Sequence, residues 1–257
     1  MSAQKLSNLA PLWFRGLPLD GTALDFIKIC AAVFMVIDHI DHILWNYEIF
    51  EMYLIGRGTF PLFCYAAAAG IFRATPEKAK SQCLKLLFLA VLCEPVSILV
   101  RGPLVSDMPA NVIFTLATGS AMAIFMPTLR PLFRHLIFAS GVASVWIGGT
   151  IEFGLMGVML IPALLQIMRG DKTALPWLFL LLLSINAGEL GDMIESTQKG
   201  WWLIPLLSAT AAIALPAFVL NLSRDIKGVR RLLSKYALHI FYPGHLAVLG
   251  ILKIFLK

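Results

Sequence analysis

The residues with the most chemical potential are packed into Asp38-His39-Ile40-Asp41-His42, inside a run otherwise made of Ile, Val, Phe, Ala and Met. Four ionisable groups in such a stretch are expensive if the run lies in a bilayer, where a charge at a helix centre costs roughly 2.5–3.5 kcal/mol on insertion scales. An anchor would not need them. On a helix, Asp38 and His42 are i,i+4 partners on one face, with Asp41 beside them and His39 about 100° round. A carboxylate can fix an imidazole tautomer and raise its basicity while the other ring nitrogen takes a substrate proton. The cluster therefore reads as a catalytic base. Its rivals are a polar contact between helices, a cap near a helix end, or two metal ligands, although no third and fourth ligand follow at a metal-binding spacing.

Further along the chain, Gly56-Arg57-Gly58 precedes Thr59-Phe60-Pro61-Leu62-Phe63. Proline is tolerated in the first turn of a helix, so a helix opens here. Arg57 is placed to clamp a carboxylate or phosphate with two hydrogen bonds, or to neutralise Asp38 or Asp41. Asn111 opens another apolar run and is a candidate substrate contact, against the simpler reading of close helix packing around Thr115, Thr118 and Ser120. Glu152, before Gly154-Leu155-Met156-Gly157, either receives an amine or is solvated. Glu94-Pro95 marks a kinked, water-lined path or a helix end satisfied by a neighbour. The last apolar run carries His239, Tyr242, Pro243, Gly244 and His245. His245 sits near mid-depth and is favoured over His239, which lies close to the inner boundary, and Tyr242 joins it as a substrate-binding candidate.

These groups need positioning elements, and composition says what kind. The 257 residues are 59% hydrophobic and only 14% charged, against about 25% in soluble domains. Apolar runs recur near 24–46, 57–73, 82–100, 110–129, 133–149, 153–168, 175–191, 201–221 and 236–256. About 18–22 residues cross a hydrocarbon core, and the runs at 57–73, 133–149, 153–168 and 175–191 are short for a full span, which tilt, thinning or a re-entrant path would accommodate. The expected fold class is all-α, a polytopic transmembrane bundle of about nine spans forming one domain over 1–257. With a cytoplasmic N-terminus, all but Arg57, Arg101, Lys199, Lys253 and Lys257 of the 21 Lys and Arg residues fall on the inner side, as the positive-inside rule asks. That asymmetry explains the net charge of +6 better than nucleic-acid binding. The basic loop from Arg224 to Lys235 sets topology or attracts a polyanion from the cytoplasm. Trp201-Trp202 reads as an interfacial belt, and Asn186 and Glu189 are weaker candidates. The start, Met1 to Gly21, lacks a cleavable signal pattern, so the first span serves as the insertion signal. Cys30, Cys64, Cys83 and Cys93 lie in apolar runs without a CxxC and read as buried small hydrophobes.

The stretches Leu24-Asp25-Phe26-Ile27-Lys28 to Asp38-His39-Ile40, Gly56 to Phe63, Asn111 to Phe114, Gly154 to Gly157 and Phe241-Tyr242-Pro243-Gly244-His245-Leu246-Ala247-Val248-Leu249-Gly250 resemble the TraX family. Members of that family are membrane acetylases that modify the N-terminus of F-type conjugative pilin. The resemblance implies a multi-pass protein of the bacterial inner membrane, acetyl-CoA as acyl donor, and the free α-amine of a pilin subunit as acceptor. It carries over Asp38, His39, Arg57 and His245; His42 is a candidate base from its spacing to Asp38 alone. Two other functions stay open, a proton-coupled transporter using the cluster as a relay, and a non-catalytic component of pilin assembly.

Overall fold

The computed structural model describes residues 19–45, 48–101, 110–144, 152–185, 203–226, 231–234 and 236–256. Asn186, Glu189, Trp201-Trp202, and Lys227, Arg230 and Lys235 of the basic loop lie outside the described residues. Among those described, the regular elements are helices: α1 Gly21–Ile40, α2 Phe50–Gly56, α3 Thr59–Arg73, α4 Pro76–Arg101, α5 Val112–Phe125, α6 Pro131–Ala143, α7 Gly154–Met168, α8 Ala174–Ile185, α9 Leu203–Ser223 and α10 Ala237–Phe255. Each expected apolar segment has its helix. The addition is α2, a short helix in what the sequence presents as a connection.

The core is built around α7. Val158, Met159, Leu160 and Ile161 are all at most 1% exposed, and α7 packs against α3, α5, α6 and α8. At 15 residues, about 22 Å, it is shorter than a hydrocarbon core. Small residues let it sit close. A Cβ on Gly119 would meet the Val158 carbonyl at 2.8 Å, and one on Gly157 would meet Thr115 at 2.9 Å.

The periphery has the opposite pattern. Leu84, Phe88, Leu92 and Leu99 of α4, and Ile240, Val248, Ile254 and Phe255 of α10, are exposed. In water such surfaces would aggregate; against acyl chains they are solvated. Among the described residues, the helices long and apolar enough to cross a membrane are Phe50–Arg73, which joins α2 to α3, Pro76–Val100, Leu206–Ser223 and Ala237–Phe255. The chain is a membrane protein with an all-helical fold.

Two local features place the chemistry. Asp20 caps α1, its Oδ1 accepting the Thr22 N–H at 2.8 Å, and this bond holds its carboxyl below the usual range. At its other end α1 passes into a π turn, Asp41–Trp45, which changes the register just after His39.

Candidate active site

His39, at the end of α1, and His245, in the middle of α10, meet across 206 positions of sequence. His39 Nδ1 lies 2.8 Å from His245 Nε2, and the two rings are parallel within 3°. His245 Nδ1 lies 2.9 Å from the Phe241 carbonyl, one turn back on α10. A carbonyl only accepts, so His245 Nδ1 carries a proton. With both rings neutral, His245 Nε2 is then an acceptor, and His39 Nδ1–H donates to it. The basic lone pair is thereby assigned to His39 Nε2. The Tyr242 ring closes over His245 edge-on at 5.6 Å, and Phe241 packs along it at 5.0 Å.

Beside this pair stands an ionic one. Arg57 Nη2 is 3.7 Å from Asp38 Oδ1, and both side chains are largely buried. That separation exceeds a hydrogen bond, so the contact is Coulombic. The Arg57 guanidinium lies over the Tyr53 ring, 4.2 Å from its centroid, and Ser208 of α9 reaches the Tyr53 hydroxyl at 3.4 Å. The glycines around Arg57 have a steric reason. A Cβ on Gly56 would fall 2.0 Å from Asp38 Oδ1, and one on Gly58 would touch Leu215 at 3.0 Å and Phe34 at 3.2 Å. Only glycine lets α2 end against α1 with the carboxylate between them.

Asp38, His39 and Arg57 line one cavity of about 190 Å³, together with Glu152, Phe153 and Tyr242. Phe153 caps α7 in the left-handed region, φ 62°, and stacks on Phe60 at 4.2 Å. That conformation costs a bulky residue of order 1–3 kcal/mol. It is held by the neighbouring Gly154, φ 55°, and by two bonds on Glu152. The Glu152 N–H donates to the Ala110 carbonyl at 3.0 Å, and the Thr115 hydroxyl donates to the Glu152 carbonyl.

The structure thus brings Asp38, His39, Arg57, Glu152 and Tyr242 to one space, with His245 behind His39. Of the two roles weighed for Arg57, the structure shows the ion pair with Asp38. The Nδ1 of His39 faces His245 rather than a carboxylate. Asp41 is fully buried, and its Oδ1 accepts the Ile49 N–H at 3.0 Å, fixing the chain between α1 and α2. His42, one residue into the π turn, is exposed and is not part of the cavity wall.

Asn111 also has another task. It is fully buried, its Oδ1 accepts the Ile113 N–H at 3.0 Å as the cap of α5, and its Nδ2 donates to Glu94 and to the Ala90 carbonyl. Glu94 accepts the Asn111 N–H as well, at 3.0 Å. Glu94 is thus satisfied by a neighbour, as one of the two readings of Glu94-Pro95 had it, but inside α4 rather than at a helix end. Asn111 is a structural cap with its hydrogen-bonding groups already engaged.

Two residues gain roles that spacing alone did not suggest. Asp25 is 3% exposed, and its Oδ2 accepts the N–H groups of Leu232 and Leu233 while its Oδ1 pairs with Lys28 at 3.3 Å. It ties the segment before α10 to α1. His239 lines the same cavity as His39. The available signal was its helical spacing from Tyr242 and His245, outweighed by its apparent depth. Among the described residues, no group of three or more His, Cys, Asp or Glu could hold a metal ion.

Comparison with known proteins gives a consistent setting. Residues 23–253 match the family described as "TraX protein". A protein of Dichelobacter nodosus named "Probable fimbrial assembly protein FimC, serogroup H1" is 26% identical over 250 residues, covering 90% of this chain and 96% of that one. No solved structure matches the chain.

Proposed function

The chain belongs to the TraX family, and from that membership and the geometry around His39 we propose that it is a membrane acetyltransferase acting on the N-terminal amine of a pilin-type subunit. Acetyl-CoA is the donor, reaching the site from the cytoplasm, and the acceptor is presented from the outer side. The chain spans the bacterial inner membrane about nine times with its N-terminus inside, the arrangement that best fits its basic residues. The fimbrial name carried by the relative from Dichelobacter nodosus fits an acceptor that is a fibre subunit.

The observation that carries this reading is the proton chain from His39 through His245 to the Phe241 carbonyl. It leaves an oriented, basic nitrogen on a residue lining a small apolar cavity, next to a guanidinium. His39 Nε2 accepts a proton from the substrate ammonium. The neutral amine attacks the thioester carbonyl, a C–N bond forms, and the tetrahedral oxyanion collapses with loss of the C–S bond. Of the two protons the nitrogen gives up, one leaves with the thiol and the other returns to solvent through His39. Arg57 is placed to stabilise the oxyanion, and Asp38 keeps that cation in position. Glu152 and Tyr242 are the candidates for holding the incoming amine. His245 is a positioning residue, since it acts through His39.

General-base assistance is worth about 10²–10⁴-fold, so His39→Ala is expected to leave the protein in the membrane and to abolish the mass shift of co-expressed pilin. Acetylated pilin at wild-type levels in that variant removes His39 from the mechanism. Unmodified pilin in wild-type cells, with fibre assembly depending on the gene, favours the non-catalytic assembly role instead.

A further inference from the structure

A second cavity, of about 430 Å³, lies at the end of the bundle where α1, α4 and α10 begin. Its wall carries three cations, Lys28, Lys85 and Arg231, against the carboxylate of Asp25, which is already engaged by two backbone N–H groups and Lys28. Lys85 and Arg231 are exposed at its mouth. The cavity is therefore electropositive at one end, while its inward wall is apolar, with Phe63, Leu86, Leu116 and Leu238.

Those four residues and His239 also line the cavity that holds His39. The two spaces share a wall at one place, and His239 is the polar residue in it. Its Nδ1 is buried and has no hydrogen-bond partner among the described residues. Along α1, Lys28 and His39 are eleven residues apart, about 16 Å at the helical rise. A ligand that uses both ends must have an anionic head, an uncharged arm of roughly that reach, and a polar group partway along the arm for His239.

We propose that this inner cavity binds the phosphate-bearing end of a thioester carrier, and that His239, in the wall common to both cavities, hydrogen-bonds the carrier's arm as it passes to His39. The inference rests on the acyl-transfer reading and locates its donor site. Asp25 is part of the same device, since it fixes the 231–234 segment and so holds Arg231 at the mouth.

The test is direct binding of coenzyme A to the detergent-purified full chain, measured by calorimetry, alongside acetylation kinetics. The double variant Lys85→Glu, Arg231→Glu lies on exposed positions and is expected to weaken coenzyme A binding about tenfold or more, the loss that follows removal of charge-assisted contacts. His39→Ala is expected to bind coenzyme A like the wild type while losing activity. His239→Leu is expected to raise the KM for acetyl-CoA with the acceptor KM unchanged, and His239→Gln, which keeps a hydrogen-bonding head, to restore it in part. Equal affinity in the wild type and the charge-reversed variant overturns the cavity as donor site while leaving acyl transfer standing. Absence of coenzyme A binding in an active wild-type protein overturns the donor class. Displacement of coenzyme A by phosphatidylglycerol in the micelle reassigns the cavity to a lipid headgroup and overturns the proposal. An unchanged acetyl-CoA KM in His239→Leu removes His239 from it.

Discussion

Gly56→Ala is the most severe single-methyl test of the site. The new Cβ would stand 2.0 Å from Asp38 Oδ1, 2.5 Å from its Cγ and 2.7 Å from its Cβ. Rotating the carboxylate away relieves the first two contacts. It cannot relieve the third, because the Asp38 Cβ is fixed to the α1 backbone. The end of α2 and the end of α1 must therefore part, by the better part of an ångström to reach ordinary contact. Overpacking of this kind costs about 1–3 kcal/mol, and displacing reacting groups by about 1 Å costs about 10²-fold in rate. The expected outcome is a folded, membrane-inserted protein with a modestly lowered melting temperature and acetylation slowed about 10²-fold, followed by intact mass of the acceptor over time. Placing Gly56→Ala on an Asp38→Gly background removes the atoms it strikes, so its stability cost should vanish there. Gly244→Ala is the matched control. Nothing lies within 4 Å of its Cβ position, and alanine in a helix interior gains up to about 1 kcal/mol over glycine. Wild-type rate in Gly56→Ala, or an equal stability loss in the Asp38→Gly background, refutes the claim that this glycine exists to admit the carboxylate.

Other substitutions separate structural from chemical roles. Asn111→Ala removes the α5 cap and the donor to Glu94 and Ala90, so it should cost about 1–3 kcal/mol in thermal stability while leaving the acceptor KM unchanged; a selective rise in that KM would return Asn111 to the substrate site. Phe153→Ala loses the stack on Phe60 yet keeps a Cβ in the left-handed region, whereas Phe153→Gly loses the same stack and relaxes the backbone. Denaturation should therefore find Phe153→Gly the more stable of the two by about 1 kcal/mol, and the reverse order would show that φ 62° carries no strain.

Composition and periodicity alone determine that this chain is a membrane-embedded helical bundle, because a long apolar run has few other ways to satisfy its backbone. They also isolate Asp38 and His39, since ionisable groups in such a run demand a reason, and Arg57 follows as the nearest cation after the first apolar segment. Partnership is what local spacing could not supply. A helical wheel pairs Asp38 with His42, but the π turn at Asp41 shifts the register and leaves His42 exposed, while Gly56 admits α2 so that Arg57 takes the carboxylate. The partner of His39 comes from α10, 206 residues away, and only the packing of α10 beside α1 and α4 brings its ring to 2.8 Å. His239 shows the same limit from the other direction. Depth along a single helix set it aside as a boundary residue, yet the space between helices makes it the polar residue in the wall of two cavities. Residue type is a property of the chain, but the hydrogen bond that gives an imidazole its tautomer belongs to the tertiary structure.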